Sequence, residues 1–408
     1  MVLPSVSAVN DVPPAQGLSP RPRLPLSRTA SYDVIVAGLG AMGSATAFHL
    51  ARRGARVLGL DRFAPPHPWG SSHGRSRIIR EAYFESPVYV PLVQRAYELW
   101  RELEQLSGKA ILRQTGGLMF GPRDGIVVPG ALESARRHAL PHEQLSAGDM
   151  HQRFPGIHPP AGMVGVWEPR AGYLVPEAAV EAHLALAARA GAALHPSEPV
   201  LGWRASAGSV RVDTALGTYQ ARRLVLAAGP WMGQLVAELA LPLSVERMVL
   251  YWFRPAAGLG LFAPERFPVF IGEYAPGRIW YGIPDTGHGV KVALHDHGEL
   301  ADPDDLRREV GPEEVACIRA LVRAMLPAAD GHLADTAVCM YTNTPDRHFI
   351  LDTHPGHPEV LIASPCSGHG FKFSSAIGEL LADLALHGET PFDLAPFRLA
   401  RLLPTTAP

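Results

Sequence analysis

Net charge, cysteine and long apolar runs are all scarce in this chain of 408 residues. The 37 lysines and arginines nearly balance the 39 acidic residues, so no charge excess attracts nucleic acid or an anionic membrane. No apolar run approaches the ~18 to 20 residues of a transmembrane helix. The sequence therefore predicts a soluble protein with a small-molecule partner, and neither a nucleic-acid nor a membrane partner.

Only three cysteines occur, Cys317, Cys339 and Cys366, and none belongs to a C-x-x-C pair. This count and spacing exclude a disulfide framework and disfavour a cysteine-rich zinc site. We predict a cytoplasmic protein without a metal.

The first 30 residues contain many prolines and lack the apolar segment of a secretory signal. Residues 1–30 are predicted to be a disordered extension, with a transit peptide or a wrongly assigned start codon as the alternative. The remaining chain exceeds the size at which one core usually keeps growing, which predicts two domains.

A strand, three glycines, a helix, a second strand and an acid follow one another between Tyr32 and Asp61. Gly38 permits a tight turn, Gly40 lets the backbone approach a pyrophosphate, and Gly43 lets helix and strand pack closely. The N–H groups at the helix start would hold the diphosphate, and Asp61 would accept hydrogen bonds from ribose hydroxyls. The pattern predicts an adenine dinucleotide site; an ordinary strand–helix turn is the alternative.

Later segments alternate between strand and helix patterns. The strand-like run Arg222–Trp231 contains Gly229, a second place where backbone can approach a cofactor. Closely spaced strand-like runs between Met248 and Pro284 predict an inserted antiparallel sheet. A strand from Val360 and an apolar helix Phe373–Leu386 return to the α/β pattern.

Three further segments are ambiguous when taken singly. In S-S-H-G-R-S-R-I-I-R, Arg77 and Arg80 share one face if the segment is helical, although a solvated surface is the alternative. The string C-M-Y-T-N-T-P-D begins at Cys339, and a lone cysteine is often a small buried apolar residue. The string S-G-H-G-F-K-F-S-S contains Lys372, which could stabilise negative charge on a flavin ring or simply start a helix.

In this order, the segments resemble the monomeric sarcosine oxidase and N-methyltryptophan oxidase family of FAD-dependent amine oxidases. The resemblance covers Tyr32 to Leu402 and is most specific in P-P-H, S-H-G, R-I-I-R, Y-V-P-L, C-M-Y-T-N-T-P-D, H-F-I, S-G-H-G-F-K-F and P-F-D-L-A-P-F-R-L. The arginine-rich segment is also similar to peroxisomal sarcosine and pipecolate oxidases.

The resemblance implies an α/β fold of the D-amino-acid-oxidase type. A Rossmann-like FAD-binding domain would carry an inserted, mainly antiparallel β substrate domain. The predicted FAD-binding segments are 31–112, 176–242 and 336–402, and the predicted substrate-domain segments are 113–175 and 243–335.

The resemblance also implies roles for single residues. Cys339 would carry the flavin through a thioether, Arg80 and Lys372 would clamp the substrate carboxylate, and Lys291 would assist the reduction of dioxygen. His295 would line the substrate pocket, with a surface histidine as the alternative. The other substrate-lining positions implied are Ile271, Tyr281, Tyr341 and His369. The cofactor-binding positions implied are Gly38, Gly40, Gly43, Asp61, Arg62, His73, Ser76, Arg77, Gly229, Cys339, Gly368, Gly370 and Lys372.

Four positions depart from the family pattern. Arg75 adds a cation near the flavin or at the surface, and Ser76 keeps a hydroxyl where threonine is common. Ile271 replaces a methionine beside the substrate, which leaves the pocket size open. Cys366 replaces a larger apolar residue just before the glycine loop.

The predicted reaction is FAD-dependent oxidation of an N-methyl amino acid such as sarcosine or N-methyl-L-tryptophan. Dioxygen would be reduced to hydrogen peroxide, and the imine would hydrolyse to an aldehyde and an amine. A monomer is predicted. The alternatives are a cyclic imino acid oxidase of the pipecolate or proline type, a dehydrogenase with non-covalent FAD and another electron acceptor, and a catalytically silent nucleotide-binding protein.

Overall fold

The computed structural model describes residues 31–206, 208–295, 298–365 and 367–403, so the predicted extension 1–30 and Cys366 lie outside the described residues. The strands are β1 (Ser31–Ala37), β2 (Val57–Leu60), β3 (Arg77–Ile79), β4 (Leu112–Gln114), β5 (Gly117–Gly121), β6 (Glu143–Ser146), β7 (Val164–Glu168), β8 (Gly172–Leu174), β9 (Ala193–His195), β10 (Val200–Ser206), β11 (Ser209–Thr214), β12 (Thr218–Leu226), β13 (Ser244–Phe253), β14 (Val269–Ala275), β15 (Arg278–Ile283), β16 (Val290–Leu294), β17 (Glu299–Leu300), β18 (Leu333–Asn343), β19 (Ile350–His354) and β20 (His357–Ser364).

The α-helices are α1 (Ala41–Arg52), α2 (Val90–Ser107), α3 (Val127–Arg137), α4 (Ala147–Arg153), α5 (Pro176–Arg189), α6 (Met232–Leu235), α7 (Pro312–Met325) and α8 (Ser374–His387). Within the described ranges, none of these helices combines the length and the apolar character needed to cross a bilayer.

An eight-stranded mixed sheet carries the glycine-rich segment. β1 lies inside this sheet and pairs in parallel with β2 and β12, while β20 pairs in parallel with the carboxyl half of β12. The run V-I-V-A of β1 is buried, as expected for a strand covered on both faces. α1 packs between the sheet and helices α5 and α8. The predicted strand–helix–strand unit is therefore confirmed.

The second large sheet of the fold has nine strands and is mainly antiparallel. Its strand order is β17-β13-β16-β15-β14-β5-β7-β6, and β18 pairs along β13; β5 and β14 form its parallel pair. An aromatic cluster that includes Phe120, Phe270 and Trp280 is buried against one face. Strands β13, β14 and β15 confirm the antiparallel sheet predicted between Met248 and Pro284.

A small three-stranded sheet, in the order β3-β8-β4, carries the arginine-rich segment. Arg77–Ile79 pairs antiparallel with Gly172–Leu174, so the segment is a strand and not a helix. Two consecutive β-branched isoleucines favour this extended form. Arg77 and Arg80 therefore do not share a helical face.

The predicted division into domain segments stays a prediction. Two strands cross predicted boundaries. β4 spans the boundary between residues 112 and 113, and β18, which pairs with β13 in the nine-stranded sheet, spans the boundary between residues 335 and 336. The pairing of β18 with β13 places Cys339 in the same sheet as Ile271 and Tyr281.

Candidate active site

A cavity of about 460 Å³ extends from the carboxyl ends of the parallel strands to the nine-stranded sheet. Ligands of open α/β sheets usually bind at such strand ends. Of the predicted site residues, Gly38, Gly40, Asp61, Arg62, Arg77, Arg80, Gly229, Ile271, Tyr281, His295, Tyr341, Gly368, His369, Gly370 and Lys372 line this cavity. The other predicted site residues do not line the cavity; they are Gly43, His73, Ser76, Lys291 and Cys339.

The glycine loop forms what we call the dinucleotide end of the cavity, around Gly38, Gly40 and Asp61. Gly38 has φ +96°, and a Cβ there would lie 2.4 Å from the carbonyl oxygen of Ala227. A Cβ on Gly43 would lie 1.7 Å from the carbonyl oxygen of Gly38. Only glycine fits at either position, and the helix α1 begins directly beyond Gly40 with its N–H groups toward the cavity.

Asp61 directly follows β2, and its carboxylate binds the glycine loop through the backbone of Leu39. One carboxylate oxygen accepts the N–H of Leu39 at 2.6 Å, and the other accepts the N–H of Phe63 at 2.8 Å. Each oxygen has a further lone pair, so hydrogen bonds from ribose hydroxyls remain compatible with this geometry.

Arg62 lies at the mouth of the cavity and is partly exposed. Its guanidinium forms an ion pair with Asp304 at 2.5 Å and lies 5.5 Å from the ring centroid of Trp231. Asp304 also accepts hydrogen bonds from Trp231 Nε1 and Gln234 Nε2, both at 2.9 Å. Asp304 is not among the predicted residues because it lies far from the glycine pattern, in a loop with no motif.

The opposite part of the cavity, which we call the reaction end, contains Arg80. This side chain is 2% exposed, so the surface interpretation is wrong: pairing of β3 with β8 draws the segment inside. Its Nη2 pairs with Glu85 Oε2 at 2.5 Å, its Nη1 donates to the Ala82 carbonyl at 3.1 Å, and its Nε has no partner. The guanidinium also lies 4.1 Å from the ring centroid of Tyr83.

Glu85 also lines the cavity and was missed by the sequence analysis. Burial raises its pKa, but the positive charge of Arg80 and contributions from His369 and Lys372 together lower the pKa to about 2. Glu85 is therefore an anion that compensates the cations around it. Its Oε1 has no hydrogen-bond partner.

Lys372 lies in the glycine-rich segment before α8 and is buried. Its Nζ donates to the His369 carbonyl at 2.6 Å and to the Tyr83 hydroxyl at 3.3 Å. Burial and, next, the positive charge of Arg80 lower its pKa to about 7, while Glu85 opposes this shift. The charge of Lys372 is therefore sensitive to what binds beside it.

Two histidines at the reaction end are neutral. Burial lowers the pKa of His369 to about 3, and its Nδ1 lies 2.6 Å from the hydroxyl of Tyr83. Burial lowers the pKa of His295 to about 4. The surface interpretation of His295 is wrong, because its ring packs against those of Tyr281 and Tyr341 and lines the cavity.

Aromatic and apolar side chains form the wall near these cations. Ile271 and Tyr281 are register partners on β14 and β15, and both line the cavity with Tyr341 of β18. Gly368 has φ +78°, and a Cβ there would lie 2.4 Å from the Tyr341 ring. The glycine loop can therefore pass close to this ring.

Lys291 is 1% exposed and lies behind the cavity wall. Its Nζ donates to the carbonyl oxygens of Gly74 at 2.8 Å and of Ser76 at 2.7 Å. Burial and, next, the positive charge of Arg77 hold the pKa of Lys291 well below its ordinary value. The segment 74–77 thus orients this amine.

Arg75 forms an ion pair with Asp335 at 2.5 Å in which both side chains are partly exposed. Its guanidinium lies 4.8 Å from the Trp252 ring centroid, and Lys291 Nζ lies 5.5 Å from the same centroid. The structure thus favours the surface alternative for Arg75.

Cys339 is a buried free cysteine, and Arg77 Nη2 lies 3.4 Å from its Sγ. His73 is buried in the loop just before β3, the strand that begins at Arg77. Burial and the positive charge of Arg77 lower the pKa of His73 to about 3, and its Nε2 has no hydrogen-bond partner. This unpaired buried atom is available to a bound group.

The family described as FAD dependent oxidoreductase matches residues 33–384. The chain belongs to this family. It is therefore an FAD-dependent oxidoreductase, and the recognition made from the sequence motifs is confirmed.

Two curated relatives show to which enzymes within this family the chain is similar. The chain is 46% identical over 376 residues to a monomeric sarcosine oxidase of Streptomyces avermitilis, covering 91% of this chain and 98% of the relative. It is 38% identical over 373 residues to an N-methyl-L-tryptophan oxidase of Salmonella agona, covering 91% and 99%. The chain belongs to the group formed by these two kinds of enzyme.

A solved structure supports the fold. NikD, described as an unusual amino acid oxidase essential for nikkomycin biosynthesis, superimposes with a TM-score of 0.80 at 28% identity, covering 91% of this chain and 98% of NikD. The predicted D-amino-acid-oxidase-like fold is confirmed.

The described residues fit FAD. A Cβ at Gly38 or Gly43 would collide with neighbouring backbone, and Gly38, Gly40 and the start of α1 line the cavity where a diphosphate would be held. The cavity continues from there to Tyr341 and Lys372, where a flavin ring would meet a polar edge.

Proposed function

We propose that the protein oxidises a secondary amino acid of the N-methyl type, such as sarcosine or N-methyl-L-tryptophan, with dioxygen as acceptor. The observation that carries this proposal is the pair of buried cations, Arg80 and Lys372, beside neutral histidines and aromatic rings. Such a pair suits one substrate carboxylate. The names of the two curated relatives support the same substrate class.

When bound, FAD accepts a hydride equivalent from the carbon next to the amine and passes the electrons to dioxygen. The protein's contribution is to bind and orient the substrate. Orientation of this kind can supply several kcal/mol of barrier reduction.

Arg80 and Lys372 bind the substrate carboxylate in this proposal. In the present arrangement Glu85 balances the charge of Arg80, and the guanidinium keeps one nitrogen, Nε, without a partner. A substrate carboxylate would supply the missing acceptor. It would also favour the charged form of Lys372. With a pKa of about 7, this amine is close to the midpoint between its charged and neutral forms at neutral pH.

The substrate amine must be neutral to release a hydride equivalent. The cations Arg80 and Lys372 and the partly dry cavity lower the pKa of an amine placed among them. The neutral ring of His295 avoids adding a further positive charge at the same place. The product imine then takes up water outside this step and gives an aldehyde and an amine.

Lys291 is proposed to assist the reduction of dioxygen. Its amine is held by the carbonyl oxygens of Gly74 and Ser76 and points into a buried region beside Arg77. A fixed proton donor of this kind stabilises negative charge that develops on oxygen.

Covalent attachment of FAD at Cys339 is a further proposal. Support comes from the buried free thiol and from Arg77, whose guanidinium lies 3.4 Å from the sulfur. Precipitation in acid tests it: the yellow colour should follow the polypeptide in the wild type and stay in the supernatant for Cys339→Ala. Colour released from both proteins would contradict the attachment. Cys317→Ala, which alters an exposed cysteine, is the matched control.

A substrate panel tests the reaction. Peroxide release is measured with sarcosine, N-methyl-L-tryptophan, pipecolate and proline, and N-methyl amino acids are expected to give the highest kcat/KM. A preference for the cyclic compounds would favour the cyclic imino acid alternative. Rapid substrate oxidation with an artificial acceptor but slow peroxide formation would favour the dehydrogenase alternative.

The monomeric state and the cytoplasmic location are also proposals. The first follows the name of the relatives and the second follows the low cysteine content. Light scattering of the purified holoenzyme should give one chain of 43.9 kDa.

A further inference from the structure

We propose that Glu168 is a positioning residue for Arg80 and thereby sets the affinity of the reaction end for a carboxylate. The proposal rests on the carboxylate-binding role proposed above for Arg80. Glu168 is the last residue of β7 in the nine-stranded sheet, and Arg80 follows β3 in the three-stranded sheet. Glu168 therefore connects two sheets at the place where Arg80 enters the cavity.

The side-chain carboxylate of Glu168 accepts hydrogen bonds from the backbone that directly follows Arg80. Its Oε1 accepts the N–H of Glu81 at 2.7 Å, and its Oε2 accepts the N–H of Ala82 at 2.9 Å. Arg80 itself donates to the carbonyl of Ala82. The Glu168 carboxylate therefore holds in place the backbone to which the Arg80 guanidinium is hydrogen-bonded.

The other side of the same segment is held by α3. Ser134 Oγ donates to the carbonyl oxygen of Tyr83, and a Cβ on Gly130 would lie 2.2 Å from the carbonyl oxygen of Phe84. With Glu168 on one side and α3 on the other, the segment 81–84 has little freedom. Loss of the Glu168 contacts would release one side and allow Arg80 to turn away from the cavity.

Glu168 is 1% exposed, and the charged or titratable groups that act on it are Arg80 and Glu81 on the segment after β3 and Tyr97 on α2. Arg170, in the turn after β7, pairs with Glu81. Burial and repulsion by Glu81 raise the pKa of Glu168 to about 7, although the two N–H groups and Arg80 lower it. The pKa of Glu81 is raised by burial and lowered by Arg170, which lies 3.4 Å away.

The sign of the expected pH effect follows from this raised pKa. Above about pH 7 Glu168 is a carboxylate that accepts both N–H groups; below it the group is protonated and accepts them less strongly. Positioning of Arg80 is therefore strongest above neutral pH. Lys372 titrates in the opposite sense, because its charge is present at low pH.

The experiment compares Glu168→Gln with the wild-type holoenzyme by calorimetric titration with acetate, a carboxylate that carries no amine. Gln keeps the volume and one acceptor oxygen but removes the charge. The ratio of the acetate Kd values, variant over wild type, cancels the contribution of Lys372. We expect this ratio to be roughly ten at pH 8.5, as for loss of a charged hydrogen bond, and to approach one near pH 5.5.

Controls separate a positioning role from a structural one. Glu81→Gln makes the same substitution at an adjacent buried carboxyl whose oxygens have no hydrogen-bond partner, and the acetate Kd at pH 8.5 should change less than about two-fold. In an Arg80→Gln background, Glu168→Gln should produce no further loss. Glu168→Asp, which is too short to hold both N–H groups, should weaken acetate binding across the pH range and serves if the Gln variant does not fold.

Three results would overturn the inference. A Kd ratio near one at pH 8.5, or one that does not vary with pH, would mean that Glu168 is only a buried structural group. An equal loss in the Arg80→Gln background would mean that Glu168 does not act through Arg80. If Arg80→Gln alone leaves acetate binding unchanged, the proposed function of Arg80 fails, and that failure is visible without any Glu168 variant.

Discussion

At the dinucleotide end of the cavity, the turn at Gly38 and the start of α1 belong to one continuous stretch, Tyr32–Asp61, and the backbone of Ala227 packs against Gly38, whereas side chains from separate segments form the reaction end. Arg80 follows β3, Ile271 and Tyr281 lie on β14 and β15, and Lys372 precedes α8. The first end therefore depends on close backbone packing. The second depends on charges buried near one another.

This difference determines what each end tolerates. In the proposed function, a diphosphate would be bound by N–H groups whose positions follow from the helix. A substrate carboxylate would meet Arg80 and Lys372, and Glu85 balances the charge beside them when the substrate is absent. Small steric changes should damage the dinucleotide end, and changes of charge should damage the reaction end.

The largest effect is expected for Gly43→Ala. A Cβ at this position would lie 1.7 Å from the backbone oxygen of Gly38, which cannot move without opening the turn. We expect a loss of about 3 kcal/mol or more in the free energy of unfolding, with little bound FAD. Gly202→Ala is the control, since a Cβ there has no atom within 4 Å. Thermal unfolding and flavin absorbance measure both, and a stable Gly43→Ala holoenzyme would disprove the steric argument.

Lys291→Met should give the next largest effect. Loss of the amine should slow reoxidation by dioxygen by about 10²–10³-fold, while substrate-driven flavin reduction changes far less. Stopped-flow spectroscopy measures the two half-reactions separately. Equal slowing of both steps would count against the proposed role of Lys291.

Above neutral pH, the Kd for a carboxylate is expected to rise about ten-fold per pH unit, because Lys372 loses its charge there. Its pKa is lowered to about 7 in the free protein by burial and Arg80, so the charge is present below pH 7 and is lost as the pH rises. Acetate affinity of Glu168→Gln should therefore fall from pH 7 to pH 9, with proton uptake on binding. The double variant Glu168→Gln/Lys372→Met should lack this decline, and a decline that persists would assign it to another group.

The smallest effect is expected for Arg75→Gln. Arg75 pairs with Asp335 at the protein surface, where an ion pair contributes about 0 to 1 kcal/mol. Stability and dioxygen reactivity should both stay close to the wild type. A marked change in reoxidation would show that the charge of Arg75 acts on Lys291 after all.

The sequence motifs were sufficient for the glycine turn of the dinucleotide end because that turn is local, whereas Ala227 and Asp304 reach this end from distant segments. Gly38, Gly40 and Gly43 act within one strand–helix turn, and their spacing alone reveals the tight approach of the backbone. The surface alternatives for Arg80 and His295 failed for a physical reason. Their burial results from pairing between strands far apart in the chain, which no local pattern reports.

Glu85, Glu168 and Asp304 could not be found from the sequence for the same reason. Glu85 acquires meaning only from the guanidinium of Arg80 beside it, and Glu168 only from the peptide groups of a different sheet. Neither carboxyl lies in a motif. A search for acids close to the arginine-rich segment would have offered Glu81 as readily as Glu85.

The amino-acid sequence by itself determined the glycine turn and the family, because these follow from residue types in a fixed order. Through the family resemblance it also pointed to Arg80 and Lys372 as the cations proposed to meet a substrate. The tertiary structure decided which acid balances each cation, which histidines are neutral and how exposed Arg80 is. Those properties depend on burial and on distances between segments brought together by strand pairing. Electrostatic energies change steeply with both, so they exist only once the fold has formed.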